Sequence, residues 1–510
     1  MDNQPDKLAS DMEAMQPYWS KINALYGGLT SMRANSDTFL PKMPDESSER
    51  YELRKGITKL TNVFRDIVEN LSQRAFAKKV TLAEDSVDAA FKEFEMDVDG
   101  RGNSLHVVAG EMFYDAIGYS IDWMLVDYTK GVPLNATVAD EKKLGARPYW
   151  VRYPVTSVLA AYTSMIEGKE HFTHVRLKEN STKRVGFGEE TVKRVRQIDR
   201  AEIAPGVFDN PMVTIFLEHT KESGEKEWVI EGTPYYMTIK YIPLVPFVTG
   251  RRKGKGWKTT PAMQDAADLQ ITLYQQESAL EFAKLMTAFP MLAGNGVSPM
   301  IGADGNPEPI SAGPGLALYA PSSGDGAAGS WTIIEPSSSS LTFLASDVSA
   351  TIKELREIGR QPLTAQSGNL TRITTAFAAG KGNSAVQAWA LNAKDALELA
   401  LYYTALWLKS DAEPKVVMDL DFDVSEREDD GYSNVLELRK EGEISRHQTL
   451  HEAKRRGILD KDFDPDDDLD MLLEEIEGDK DNEGKDDDVK DDDDPLNEDP
   501  DALKDPPPGG

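Results

Sequence analysis

Apolar residues recur at helical spacing in two long segments in the second half of the chain. The first stripe consists of Leu269, Leu273, Leu280 and Ala283, and the second of Leu341, Leu344, Val348, Ile352 and Leu355. Pro261 precedes the first stripe, at a favourable first-turn position. The pattern predicts a helix over 261–289, roughly 40 Å long, and another over 341–360.

A third apolar helix is predicted over 385–409, with Ser384 as its N-cap. Its apolar surface extends round the helix beyond a single stripe, because Leu391, Leu399 and Leu406 lie outside that stripe. We therefore expect this helix to be deeply buried.

Polar segments that contain glycine separate the three helices. Residues 290–340 contain nine Gly, seven Pro and nine Ser, with strand candidates at Leu316–Tyr319 and Trp331–Ile334. A segment this small cannot build a hydrophobic core alone, and we therefore expect it to pack against neighbouring subunits. Residues 361–383 have little apolar content and are predicted to form a loop whose cations are Arg372 and Lys381.

The first half of the chain is predicted to combine helices with an antiparallel sheet. Helices are expected over 6–34, 46–71 and 105–128, the last capped by Ser104 and ended by Gly131 and Pro133. The strand candidates that follow are Tyr149–Tyr153, His174–Leu177, Lys193–Gln197, Val213–Leu217 and Trp228–Ile230. The charged turns between them indicate an antiparallel β subdomain with one solvent-exposed face.

The C-terminal part is predicted to contain a short strand and a pair of helices. The strand is Lys415–Leu420, and the first helix ends at Gly442. Ser445 and Gln448 have the spacing of a capping box for the second helix, and Gly457 stands behind its last turn.

Charge is distributed unevenly along the 510 residues. The net charge is −30, and the segment from Asp460 to Asp505 carries 24 acidic residues and five Lys. Such a segment repels itself and has little to bury, so we expect a disordered tail. There is no cysteine, which excludes disulfides and thiolate metal sites. The N-terminus lacks the apolar core of a secretory signal, and the longest apolar stretches contain acidic residues, so we expect a soluble protein without a membrane span.

Motifs for catalysis or metal binding are each incomplete. His447 and His451 have the spacing of a zinc-protease helix, but Gln448 stands where the general-base Glu is required. Asp464, Asp466, Asp468 and Glu475 match ligand positions of a calcium loop, but Leu469 occupies the position that needs glycine. We therefore predict no catalytic residue, no metal site and no cofactor.

The densest positive patch consists of Arg251, Arg252, Lys253, Lys255 and Lys258, beside Trp257. It can contact phosphates, or it can be a solvated loop that pairs with acidic neighbours. Two glycine-rich stretches, Gly254–Gly256 and Gly380–Ser384, lack the spacing of a nucleotide-binding phosphate loop. The chain is not expected to hydrolyse nucleotides itself.

Both the order of these elements and several short stretches resemble the portal proteins of tailed bacteriophages. The order is β subdomain, helix, small loop-rich module, helix, polar loop, long buried helix, strand and C-terminal helices. The stretches that carry the resemblance are Gly27–Arg33, Phe39–Lys42, Tyr51 with Arg54, Asn62–Arg65, Ile242–Phe247, Leu438–Ser445 and Arg455–Leu459. None of these motifs is chemical, so the resemblance depends on their number and order, over about residues 20–475.

The resemblance implies an α+β phage-portal architecture with wing, helical stem, small loop-rich clip, helical crown and disordered acidic tail. Its regions are the N-terminal helical part of the wing (1–103), the wing helix and β subdomain (104–260), the first stem helix (261–289), the clip (290–340), the second stem helix (341–360), the tunnel loop (361–383), the long wing helix and strand (384–440), the crown (441–478) and the acidic tail (479–510). The stem stripes would be buried in contacts between subunits, and Arg372 and Lys381 of the tunnel loop would face DNA.

The function implied by the resemblance is that of a ring-shaped channel, a dodecamer, at one capsid vertex. Double-stranded DNA would be packaged and later ejected through it. Partners would be other copies of the chain, the terminase large subunit, a head-tail adaptor and the major capsid protein, in the virion and, during assembly, in the host cytoplasm. Two alternatives remain open: a magnesium-dependent nucleic-acid-processing enzyme, and a capsid scaffold or adaptor without a channel.

Overall fold

The computed structural model of this chain describes residues 4–83, 87, 89–129, 140, 143–221, 223–288, 291–295, 329–334, 338–359, 372–420, 430–455, 458–459, 463–469 and 471–472. The helices in these ranges are α1 (Ser10–Tyr26), α2 (Gly28–Ala34), α3 (Ser36–Phe39), α4 (Ser48–Ile57), α5 (Val63–Ala75), α6 (Ala89–Met96), α7 (Leu105–Tyr119), α8 (Gln264–Ala288), α9 (Ser338–Ile358), α10 (Arg372–Leu408), α11 (Asp430–Lys440) and α12 (Arg446–Arg455). None of them is long and apolar enough to cross a bilayer.

The strands in the same ranges are β1 (Thr81–Leu82), β2 (Ile121–Tyr128), β3 (Pro148–Tyr153), β4 (Val158–Ile166), β5 (Lys169–Lys178), β6 (Ser181–Val185), β7 (Gly188–Val192), β8 (Arg194–Asp199), β9 (Glu202–Ala204), β10 (Val207–Phe208), β11 (Met212–Thr220), β12 (Lys226–Ile230), β13 (Tyr235–Tyr236), β14 (Leu244–Val248), β15 (Arg251–Arg252), β16 (Thr259–Thr260), β17 (Met291–Asn295), β18 (Ser330–Ile334) and β19 (Val416–Val417). The chain is therefore a mixture of helix and sheet, in agreement with the α+β prediction.

Two predicted N-terminal helices are each divided by a polar break. The helix expected over 6–34 becomes α1 and α2, which meet at Gly27. The helix expected over 46–71 becomes α4 and α5, since Asn62 starts a new helix by accepting a hydrogen bond from Arg65 N. Apolar spacing continues across both breaks, so periodicity alone did not reveal them.

The helix predicted over 105–128 is wrong beyond Tyr119. There α7 ends, Ser120 adopts a left-handed conformation with φ of 75°, and β2 follows. β2 lies between β14 and β3 in an antiparallel sheet, and seven of its eight residues are buried. A central strand covered on both faces has no polar alternation, so its apolar run looks like part of a buried helix.

The β subdomain predicted after residue 147 is confirmed as antiparallel. Its main sheet has the strand order β12-β11-β8-β5-β4, with β13 paired to β11. Val175, Ile198 and Val213 stand in register across the three central strands and are fully buried. Tyr162 and Met165 on β4 are exposed, as expected for a sheet with one solvent-exposed face.

The chain divides into two units, of which the first is Met1–Asp423. The last helix of this first unit, α10, is longer than predicted. α10 begins at Arg372, within the predicted loop 361–383, of which residues 361–371 lie outside the described ranges. Trp389 and Trp407 anchor one side of α10 by donating to the backbone carbonyls of Thr249 and Val126. That side is buried, whereas the opposite side is solvated.

The expectation that this helix is deeply buried therefore holds for one side of α10 only. Leu391 and Leu399 are 45% and 37% exposed, and only Leu406 of the three outer leucines is partly covered. The physical reason is that α10 packs by one side on the sheet formed by β14, β2 and β3.

The loop-rich segment 290–340 is described only near its ends. There β17 and β18 pair antiparallel, with Leu292 opposite Ile333. The strand predicted at Trp331–Ile334 is confirmed, and the one predicted at Leu316–Tyr319 lies outside the described residues.

The second unit, Val424–Gly510, contains the helical pair predicted near the C-terminus. Gly442, in a left-handed conformation with φ of 83°, follows α11, and Ser445 Oγ caps α12 by accepting from Gln448 N at 3.1 Å. This half of the predicted capping box is confirmed.

Gly359, directly after α9, is in contact with α5. A Cβ added there would lie 2.4 Å from Cδ1 of Ile67, which is fully buried. We expect Gly359→Ala to lower stability by about 1–3 kcal/mol through overpacking, measured as the denaturant midpoint. Gly56→Ala in α4, where a Cβ would meet nothing within 4 Å, is the control and is expected to be neutral or stabilising. If both variants unfold alike, the close packing of α9 on α5 is wrong.

Candidate assembly and nucleic-acid surfaces

The two long helices α8 and α9 form an antiparallel hairpin within one chain. Gln276 Nε2 donates to Asp347 Oδ2 at 2.7 Å across the hairpin. Leu273 and Leu355, one from each predicted stripe, are fully buried. The expectation that both stripes would be buried in contacts between subunits is thus corrected: each stripe packs largely on the other helix and on α4 and α5.

A buried arginine contacts the middle of α8 in this hairpin. Arg54 of α4 is 2% exposed, and its guanidinium donates to both carboxylate oxygens of Glu46 at 2.8 Å. It also donates to Pro41 O at 3.0 Å and reaches Ser278 Oγ of α8 at 3.4 Å. The hydrogen bonds from Arg54 lower the pKa of Glu46 to about 2, so the pair stays ionised at neutral pH.

The loop between α4 and α5 supplies a second set of contacts to α8. Thr61 N donates to Glu277 Oε2 at 2.9 Å, and Gln270 Nε2 donates to Thr61 O at 3.0 Å. The other amide atom of Gln270, Oε1, accepts from Phe64 N at 2.9 Å. These bonds satisfy the backbone groups that start α5, so they fix α8 in register with the N-terminal helices.

Burial of the side chains decreases along the hairpin beyond Glu277 and Ser278, towards the end of α8 and the start of α9. No residue from 339 to 350 and none from 281 to 285 is buried. Phe343 of α9 is 69% exposed. In a single chain it therefore gains little free energy from burial of its apolar surface. The distal half of the hairpin therefore has free surface on which another molecule can pack.

The predicted positive patch lies on a tight hairpin, β15–β16, in which Arg252 differs from its neighbours. Its guanidinium donates to both oxygens of Glu170, at 2.8 and 2.7 Å, and lies 3.9 Å from the centroid of the Trp257 ring. Trp257 is itself buried against Phe172 and Trp123. Arg252 therefore holds the β15–β16 hairpin against β5, and its charge is paired with that of Glu170.

The other four cations of the patch are exposed. They are Arg251, Lys253, Lys255 and Lys258. No ion pair joins them to an acidic side chain of the described chain. They lie within eight residues of each other on or beside the β15–β16 hairpin, and exposed cations of this kind can contact phosphates.

Arg372 and Lys381, the two cations predicted for the tunnel loop, both fall within α10, in a part of the helix whose side chains are not described. Their role as DNA-facing residues stays a prediction.

The incomplete metal motifs remain incomplete where the structure describes them. His447 and His451 are exposed on α12, with ring centroids 5.8 Å apart. Asp464 Oδ1 accepts from Asp466 N at 2.9 Å, and Asp468 pairs with Arg446, while Glu475 lies outside the described residues. Within the described ranges no group of three or more His, Asp or Glu is placed to hold a metal ion.

Sequence reasoning missed one charged cluster, which lines a cleft of about 750 Å³. Arg152 of β3 binds Glu111 at 2.9 Å and Asp122 at 3.0 Å, and it also binds Asp115. Burial raises the pKa of Asp122 to about 7, even though Arg152 opposes the shift. The three carboxylates come from α7 and β2, which sequence analysis had merged into one helix, so their convergence was not visible.

Comparison with known proteins gives a match to one family model and weak similarities to solved structures. Residues 262–408 match a family model described as a domain of unknown function, DUF4055. The matched residues include α8, α9 and α10. No curated protein matches the chain.

Among solved structures, the chain is similar to components of phage-like particles. The neck of an empty GTA particle, computed with C6 symmetry, is 12% identical over 78% of this chain and 90% of that chain, with a TM-score of 0.38. The neck of a native GTA particle, computed with C12 symmetry, is 13% identical over 76% and 88%, with a TM-score of 0.36. The virion of a native gene transfer agent particle is 12% identical over 86% and 99%, with a TM-score of 0.37.

The buried Asp122 predicts a specific pH dependence of stability. Its pKa is about 7 in the folded chain and about 3.9 when unfolded, so the folded state binds more protons between these values. The stabilisation is present below pH 4 and is lost as pH rises through 7. We expect Asp122→Asn, which cannot ionise, to lose less Tm than the parent chain between pH 5 and 8.

The control for this experiment is Glu111→Gln. Glu111 binds the same arginine but its side chain is 58% exposed, so its charge carries little desolvation cost. Its pH profile should run parallel to that of the parent chain. A profile of Asp122→Asn that also runs parallel would contradict the assignment.

Proposed function

We propose that this chain is the portal protein of a tailed phage or phage-like particle. Copies would form a ring whose central channel passes double-stranded DNA into and out of the capsid. The single observation that carries the proposal is the α8–α9 hairpin, which Arg54 and Glu277 fix near its middle and whose residues 281–285 and 339–350 are not buried.

The order of elements supports the division proposed from the sequence. The wing comprises the helices up to α7 and the antiparallel sheets, α8 and α9 are the stem helices, and the segment between β17 and β18 belongs to the clip. The tunnel loop is 361–383, whose second half forms the start of α10, and the rest of α10 is the long wing helix. The crown is the α11–α12 pair. A clip between two stem helices is the natural docking site for the terminase large subunit and, later, for a head-tail adaptor.

A ring also explains why the distal half of the hairpin lacks a cover. Identical copies that bind head to tail close into a ring when the rotation between neighbours divides a full turn. Exposed Phe343 and the uncovered faces of residues 281–285 then pack against the next copy. The wing surface would meet the major capsid protein in the same assembly.

The charge of the hairpin suits a channel that does not hold DNA. α8 carries four carboxylates and one lysine, and α9 carries three carboxylates and two cations, a net charge of −4 per chain. Because phosphate contacts release counterions and bind strongly, a lining without such contacts lets a polyanion slide. Arg372 and Lys381, nine residues apart in α10, remain the proposed DNA-facing cations.

The four free cations of the β15–β16 hairpin are the proposed phosphate contacts. Arg251, Lys253, Lys255 and Lys258 have no described acidic partner, unlike Arg252. Contacts confined to one short hairpin would guide DNA at one level of the assembly without gripping it along the stem.

Electron microscopy of the purified chain tests the ring. We expect closed rings with a central hole, with the copy number counted from class averages and checked by native mass. Compact single chains at micromolar concentration would contradict the proposal. Rings without a hole would favour an adaptor or scaffold instead.

Salt-dependent DNA binding tests the basic hairpin. We expect the variant with Arg251, Lys253, Lys255 and Lys258 all changed to Gln to bind DNA more weakly. Each lost phosphate contact should reduce the slope of log K against log salt concentration by about 0.9. A matched control changes four exposed lysines elsewhere to Gln: Lys92, Lys169, Lys409 and Lys440. Equal losses in both variants would mean that only total charge matters.

A further inference from the structure

The hairpin formed by β6 and β7, residues 181–192, is an exposed arm. It continues the β5 and β8 strands beyond the main sheet, with Ser181 opposite Val192 and Val185 opposite Gly188. All of its residues except Val192 are exposed. At its tip, after Gly186 in a left-handed conformation with φ of 61°, Phe187 presents its entire side chain to solvent.

The arm has a charged stem and an apolar tip. Lys183 stands opposite Glu190, and Arg184 stands opposite Glu189, but the described residues form no ion pair at either position. An aromatic side chain that is entirely accessible to solvent, such as Phe187, can gain free energy only by packing on another molecule.

The same chain exposes an apolar stripe on the outer side of α10. Its members are all exposed and follow each other at steps of three or four residues: Ala388, Leu391, Asp395, Leu399 and Tyr402. Leu391 and Leu399 lie about 12 Å apart along the helix, with Asp395 midway between them. Asp395 has no ion-pair partner among the described residues.

We infer that the arm of one copy docks on the α10 stripe of a neighbouring copy. Phe187 packs on Leu399 and Tyr402, and the cations behind the tip, Lys183 and Arg184, approach the carboxylate of Asp395. This inference rests on the proposed ring, and it assigns two of the surfaces that join one subunit to the next.

The occupant is a second copy because the chain carries both halves of the contact. Phe187 is fully exposed and the α10 stripe is exposed, so neither covers the other within one chain. The apolar tip matches the apolar stripe, and the cations match the free carboxylate. Because the arm and the α10 stripe are different surfaces of identical molecules, their contact is head-to-tail, and such contacts can close into a ring.

The absence of native cysteine makes the contact directly testable. Phe187→Cys and Leu399→Cys are prepared as separate proteins, mixed before assembly and treated with a short bis-maleimide crosslinker. We expect a crosslinked dimer only in the mixture, since the two cysteines are on different chains. The matched control replaces Phe187→Cys by Met165→Cys, which is 68% exposed on β4 and should give no product with Leu399→Cys.

The possible outcomes separate this inference from the proposed function. Rings that assemble without a crosslink would overturn the arm contact and leave the ring standing. A product with Phe187→Cys alone would indicate tip-to-tip pairing and would also overturn it. If no rings form with the parent chain, the proposed function itself fails.

A second variant measures what the contact contributes. Phe187→Ser should leave the Tm of the single chain unchanged, because the tip contacts nothing within it. It should raise the concentration for half-assembly about tenfold or more, as expected for loss of one buried aromatic per interface. Met165→Ala is the control and should change neither value, and an unchanged assembly concentration for Phe187→Ser would contradict the inference.

Discussion

The buried guanidinium of Arg54 determines how the long helices of this chain are held. A charge in a protein interior is tolerated only when its hydrogen bonds are satisfied, and Arg54 reaches Glu46, Pro41 O and Ser278 at once. Because Ser278 belongs to α8, the N-terminal helices fix one point on that helix. Thr61 and Gln270 fix another, two turns away.

These contacts lie near the middle of α8, so the part of the α8–α9 hairpin beyond them receives less support from its own chain. Residues 339–350 and 281–285 are not buried, although Glu281 still pairs with Lys59 at 3.2 Å. Phe343 and the exposed faces of this part remain for the proposed contacts between copies.

Sequence patterns predicted the parts of the fold that have one covered face. The apolar stripes of α8 and α9 and the strands β5, β8, β11 and β12 of the main sheet were placed correctly, whereas β4 and β13 of the same sheet were not predicted. β2 was missed because both of its faces are covered, which removes the alternation. The outer leucines of α10 were assigned to the core because composition reports how apolar a helix is, not which side meets its own chain.

The candidate surfaces were predictable only in part, because their charges pair with side chains that are distant in the sequence. The cluster of cations at 251–258 is visible in the sequence, but only the structure distinguishes Arg252, paired with Glu170, from its four free neighbours. The convergence of Asp115, Asp122 and Arg152 depends on a turn at Ser120 that periodicity does not indicate. Pairing of side chains from distant elements is the information that a single sequence lacks.

Amide hydrogen exchange on dilute single chains and on assembled rings tests most directly whether the distal hairpin depends on neighbouring copies. Residues 270–278, bound to the N-terminal helices, should be protected in both states. Residues 339–350 should exchange quickly in single chains and slowly in rings. Equal protection of residues 339–350 in both states would show that the hairpin is complete within one chain, and the account of a ring-dependent channel would be contradicted.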